Sequence, residues 1–155
     1  MWFKLDASGI KIKLQIKNYK LTNRKNWDRE WCHCDFQFYS DNWLNYHKEN
    51  DEVLLCCEID EISEALTRLL DNKIIEEKEI ICIEPDFIFK LFPQKDLRDD
   101  ARYTYVKPGY EIQDIYLEWR IYFWDDGLTD NYLTITLYRD EIASFRDYIE
   151  LVRNQ

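Results

Sequence analysis

Between residues 10 and 17 the chain reads IKIKLQIK, with Ile10, Ile12, Leu14 and Ile16 on one side and Lys11, Lys13, Gln15 and Lys17 on the other. Strict alternation of this kind predicts a half-exposed strand. Its lysine-bearing face suits a sheet edge guarded against unwanted pairing. The same period governs WCHCDFQFYS, residues 31–40: Cys32, Cys34, Phe36 and Phe38 share one face, and Trp31, His33, Asp35, Gln37 and Tyr39 share the other. His33 therefore points away from both neighbouring cysteines. After the polar Ser40-Asp41-Asn42 turn, a strand near 43–48 is expected to return antiparallel, and a further strand is expected around EVLLCCEI, residues 52–59.

The period then changes. Ile62, Leu66, Leu69 and Leu70 fall at helical spacing, which predicts a helix over 60–71 with Asp60 capping its first turn. KEIICIEPDFIFKLF, residues 78–92, reads as a strand, a turn or bulge at Glu84-Pro85, and a second strand, because proline cannot donate to a ladder. Residues 94–110, rich in charge and ending in Lys107-Pro108-Gly109, form the longest predicted loop. DIYLEWRIYFW and NYLTITLY then make a hairpin around DDGLTD, with Gly127 in the turn. In RDEIASFRDYIELV, Ile142, Phe145, Ile149 and Val152 form the stripe of a C-terminal amphipathic helix. The expected fold is α+β: a single domain, mainly antiparallel β-sheet with a central helix and a C-terminal amphipathic helix packed on it.

Composition narrows the function classes. A chain of 155 residues, 46% hydrophobic and with only three glycines and three prolines, has the makings of one well-packed core and shows no repeat or linker at which to divide it. No apolar run is long enough for a membrane span, and the start lacks the features of a signal peptide, so a cytoplasmic protein is expected. The net charge of −10 is uneven: residues 1–30 carry eight basic and three acidic side chains, and the remainder carries thirteen basic and twenty-eight acidic ones. Most of that surface repels nucleic acid and attracts a basic partner.

Candidate chemistry is sparse. Cys32-His33-Cys34 is not a zinc site by itself, because a structural site needs four converging ligands, while Cys56 and Cys57 are adjacent and His47 is isolated. Five cysteines in a chain of this size read as reduced, space-filling thiols. His33 and His47, with a cysteine, would be the residues of a small enzyme or ligand-binding domain if the fold brought them together. There is no glycine-rich phosphate loop, no H-E-x-x-H and no G-x-S-x-G, and acid pairs such as Glu76-Glu77, Asp99-Asp100 and Asp125-Asp126 read as solvated surface. Aromatic residues are plentiful: six Trp, eleven Tyr and eight Phe. One face of the 114–124 strand carries Ile115, Leu117, Trp119, Ile121 and Phe123, and the other carries Tyr116, Tyr122 and Trp124. That second face is either covered by a helix or left open as an aromatic interface rimmed by acids.

The REWCHCDFQFYSDNW strand, the LLCCEIDEISEALTRLL passage, the IEPDFIFKL turn, the LEWRIYFW strand and the LYRDEIASFRDYIELV helix, spread over residues 29–152, together resemble the WapI-type immunity proteins. These are small cytosolic partners of bacterial contact-delivered or wall-associated polymorphic toxins. Two stretches depart from the family pattern: the charged loop after residue 92 is longer, and DDGLTD stands where a proline-containing stretch is expected. The resemblance implies a stoichiometric, non-catalytic inhibitor with no cofactor and no metal, whose partner is the C-terminal domain of a cognate toxin. An acidic ligand with aromatic anchors would complement the basic cleft of a nuclease. Trp124, Asp125, Asp126 and Asp130, with Glu49, Asp51 and Glu52, are the candidate partner-binding residues. A structural subunit of a cytosolic complex is the remaining alternative.

Overall fold

The computed structural model describes residues 1–21 and 30–155. Arg24, Lys25 and Arg29, part of the basic N-terminal stretch, lie outside the described residues, as does the first residue of the family-like segment. Two four-stranded antiparallel sheets and two helices make up the fold, which is α+β as expected. The first sheet has the order β1 (Phe3–Ala7), β2 (Ile10–Lys17), β3 (Trp31–Ser40), β4 (Leu44–Leu55). Helix α1 (Cys56–Leu70) follows, then β5 (Lys78–Ile81) and β6 (Phe87–Phe92). A small two-stranded ladder, β7 (Lys95–Asp96) with β8 (Ile112–Gln113), brackets the charged loop, which opens with a short 3-10 turn at Leu97–Asp99. The long hairpin β9 (Tyr116–Trp124) and β10 (Leu128–Tyr138) leads into helix α2 (Arg139–Arg153). The second sheet has the order β10-β9-β6-β5.

The fold differs from the sequence reading at four points. Strand β1, only five residues long, is too short to carry a clear alternation. It pairs with β2 through a two-residue Ser8-Gly9 turn, in which both residues have positive φ and the Asp6 carboxylate accepts from Gly9 N at 2.8 Å. That pairing makes β2 an interior strand, so its lysines guard no edge. The strand expected over 43–48 and the first half of the one expected over 52–59 are one strand, β4, interrupted by a bulge between Lys48 and Asp51, and residues 56–59 are helical. Asn50 supplies the left-handed residue (φ +50°) and its N–H bonds the Asp35 carboxylate at 2.6 Å. The extra residue keeps the faces in phase, with Lys48 and Asp51 toward the second sheet and Glu52 opposite His33.

The fourth correction concerns α1, which begins at Cys56, four residues before the expected start. Asp60 is not its cap. It lies in the helix, 2% exposed, bound to Arg153 at 2.8 Å and to the Tyr19 hydroxyl at 2.6 Å. The first turn is satisfied by Glu58, whose carboxylate accepts from Leu55 N at 2.9 Å and from Ile83 N at 2.7 Å. One side chain thus caps the helix and fixes the chain just after β5.

The inner faces of the two sheets meet. Phe38 contacts Trp119 edge-on at 5.5 Å, and Phe36 contacts Phe87 at 5.2 Å. Helix α2 buries its predicted stripe, and Phe145 stacks on Trp119 at 5.2 Å while also touching Phe3 and Phe89. Both helices therefore serve the core between the sheets. Cys32, Cys34, Cys56 and Cys82 are buried free thiols; Cys32 and Cys56 are in contact at 3.4 Å. No helix among the described residues is long and apolar enough to cross a membrane.

Candidate functional site

The β9–β10 turn is built from Asp125, Asp126 and Gly127. Asp126 (φ +53°) and Gly127 (φ +134°) take left-handed or fully extended positive conformations, and Asp125 N donates to Gly127 O at 2.9 Å. Gly127 is the residue that can hold such a backbone without a Cβ clash. Asp130 follows within the bulged start of β10. Asp125, Asp126 and Asp130 are exposed, and among the described residues no cation lies within ion-pair distance of any of them. Their charge is therefore uncompensated and directed to solvent.

Trp124, immediately before them, is half-buried. Lys48 Nζ lies 4.4 Å above its ring, and Trp124 N donates to the Tyr46 hydroxyl at 3.2 Å. The same ammonium bonds Asp51 at 2.7 Å and Asp86 at 3.1 Å. Burial opposes the Lys48 charge, but the two carboxylates outweigh it and hold its pKa above the ordinary value. Burial pushes the Asp86 carboxyl up, with Lys48 offsetting part of the effect. Lys48 thus clasps the edge of the first sheet to the end of the second, and it brings two candidates, Trp124 and Asp51, to one place.

The other acidic candidates lie elsewhere. Glu52 faces His33 across β3 and β4 at 3.8 Å on the outer surface of the first sheet. Glu49 borders a shallow depression of about 520 Å³ on that surface, lined by Trp2, Lys4, Lys13, Gln37 and His47. The seven candidates therefore divide between a seam with its acidic turn and the outer face of the first sheet.

His33 and His47 share that outer face but not a site. His33 stands opposite Glu52, and His47 opposite Gln37. Four residues of strand separate the two positions, roughly 13 Å at the usual rise. Cys32 and Cys34 point to the opposite face, into the core, so neither pairs with the histidine between them. Nor does any group of three metal-ligating side chains gather among the described residues.

Among the described residues no helix covers the face of β9 that bears Tyr116, Tyr122 and Trp124, because α2 packs on the Trp119 side. Residues not singled out from the sequence complete that face. Arg120 lies over Tyr132 at 4.5 Å and reaches the Tyr122 hydroxyl, Phe92 stacks on Tyr116 at 4.2 Å, and Ile81 and Ile88 sit beside them. Their signal was present in FIFKLF and NYLTITLY, where apolar or aromatic side chains occupy both faces of the strand.

Fold and surfaces together define a small α+β protein that offers open faces, one acidic at its tip and one aromatic. The chain belongs to the immunity protein WapI-like family, whose family model matches residues 3–155, essentially its whole length. Its role is accordingly that of an immunity protein, and its partner is a cognate toxin protein. No curated protein matches the chain.

Proposed function

We propose that this protein acts in the cytoplasm, without catalysis, by binding the C-terminal domain of a cognate toxin with nuclease activity and blocking its basic nucleic-acid cleft. The observation that carries this reading is the uncompensated turn Asp125-Asp126 with Asp130, set beside the half-buried Trp124. A nuclease must line its cleft with Lys and Arg to hold phosphates. Fixed carboxylates offered to such a cleft replace the phosphates and attract it over distance, while an adjacent indole supplies a buried contact. The net charge of −10 acts in the same direction. Asp51 is engaged internally with Lys48, and Glu49 and Glu52 lie on the first sheet's outer face, so the turn is the stronger part of the predicted acidic set.

Growth protection tests this directly. Bacteria induced to express the toxin domain encoded beside this protein's gene should lose viability, with nucleic acid degraded, and recover when this protein is co-expressed. Killing that continues at high levels of this protein would refute the assignment for that pair, and protection against a toxin that leaves nucleic acid intact would refute its nuclease part.

A further inference from the structure

The outer face of the second sheet is organised in rows by its register. Tyr122 pairs with Tyr132; Ile81, Ile88, Arg120 and Thr134 form the next row; Glu79, Lys90, Glu118 and Thr136 the next; Phe92, Tyr116 and Tyr138 the last. Ile81, Tyr132 and Tyr138 are 62%, 50% and 60% exposed. Four strands at the usual spacing give this face a projected area on the order of 500 Å². The Glu79, Lys90 and Glu118 row divides that area into two apolar groups, Ile81, Ile88, Tyr122 and Tyr132 on one side and Phe92, Tyr116 and Tyr138 on the other, and exposed apolar groups rimmed by polar residues are what interaction sites present.

The side chains are also held in place before any partner arrives. The Phe92 and Tyr116 rings are nearly parallel at 6°, Lys90 lies 5.1 Å over Phe92, and Arg120 is fixed between Tyr122 and Tyr132. Preordered aromatic and arginine side chains lose little freedom on binding, and they are the residue types that dominate interface energetics. Charge selects among occupants. On the face Lys90 and Arg120 stand against Glu79 and Glu118, and Lys90 also pairs with Glu77 at 3.6 Å; Lys95 and Arg102 lie near Tyr116 at one end, and the margin at the other end is acidic through Asp125, Asp126 and Asp130. A second copy of a chain of charge −10 would meet that margin with like charge. A protein with a basic rim around an apolar patch would be complementary to it.

We infer that this face, centred on Arg120, Tyr122 and Tyr132, is the apolar core of the toxin-binding surface, and that the Asp125–Asp130 turn is part of its acidic rim. The inference rests on the immunity reading above and adds to it where the bulk of the contact lies.

The test is calorimetric titration of the toxin domain with the full chain and three variants: Tyr122→Ala/Tyr132→Ala, Thr134→Arg at an exposed position of the same face, and Lys4→Ala/Lys13→Ala on the outer face of the first sheet. Thermal unfolding checks each fold, and Thr134→Arg decides the matter if the double tyrosine variant does not fold. Truncating two central contacts should weaken binding by about 30-fold or more. Thr134→Arg should weaken it comparably, and the lysine variant should bind like the unaltered protein. Unaltered protein that binds while both second-sheet variants bind equally well would overturn this inference and leave the immunity reading intact. Unaltered protein that does not bind would remove both. A homodimer in sedimentation equilibrium that Thr134→Arg dissolves would assign the face to a second copy and overturn the inference as well.

Discussion

Glu58 shows how much a single side chain can specify. Its carboxylate, 6% exposed, accepts from Leu55 N at the start of α1 and from Ile83 N beyond β5. Burial is the largest influence on it and holds its pKa above the ordinary 4.5, although the two N–H donors pull the other way. The folded chain thus binds this proton more tightly than the unfolded chain. Its contribution to stability is fully present below about pH 4.5 and is lost as pH rises through the raised value. Glu58→Gln stays neutral at every pH, so its urea midpoint should rise relative to the parent's as pH goes from 4.5 to 7; a constant difference would show that Glu58 does not titrate differently in the folded state. Glu58→Ala orphans two buried donors and should cost about 2–4 kcal/mol in the same experiment. Nothing local in the sequence reveals this role. The expected cap was Asp60, a better N-cap type, whereas the true cap works backward from the third helical position onto a leucine.

At the scale of elements, β3, the β5–β6 and β9–β10 hairpins and α2 were legible because each is long or carries its own turn signal, such as Pro85 or Gly127. What was not legible depended on pairing. Whether β2 is an edge depends on β1, a five-residue partner, and whether 43–55 is one strand or two depends on a bulge that Asn50 makes feasible. Asn tolerates the left-handed region that β-branched residues avoid. Asn50→Val should therefore lower stability by about 1–2 kcal/mol, and Asn50→Gly should leave it nearly unchanged. Equal urea midpoints for the two variants would show that the conformation of Asn50 does not set the bulge. Because the bulge aims Lys48 at Asp86 and Trp124, the valine variant should also loosen the seam, seen as faster amide exchange at Trp124 N.

For the molecule as a whole, the two sheets present unlike outer surfaces. The first carries Lys4, Lys11, Lys13 and Lys17, and the second carries aromatic rows and ends in the Asp125–Asp130 turn. The acidic turn could be read from the sequence because its residues are neighbours in the chain. The aromatic face was only half legible: Tyr116, Tyr122 and Trp124 share one strand, but Tyr132, Ile81 and Phe92 join them through a register that no local pattern encodes. Asp125→Asn/Asp126→Asn/Asp130→Asn removes three charges that make no contact within the described chain, so stability should change little. Association with the toxin should slow and lose much of its salt dependence, as stopped-flow mixing would show. Affinity lost through faster dissociation, with association unchanged, would place the turn inside the apolar contact and not on a steering rim.

The most direct measurement is a calorimetric titration of this protein with the C-terminal domain of the protein encoded immediately upstream of its gene, at low and at high salt. The account predicts one-to-one binding of nanomolar affinity that weakens as salt rises, because acidic side chains are meeting a basic cleft. Absence of binding at both salt concentrations would contradict the immunity assignment for that pair, and tight binding indifferent to salt would contradict the electrostatic basis proposed for it.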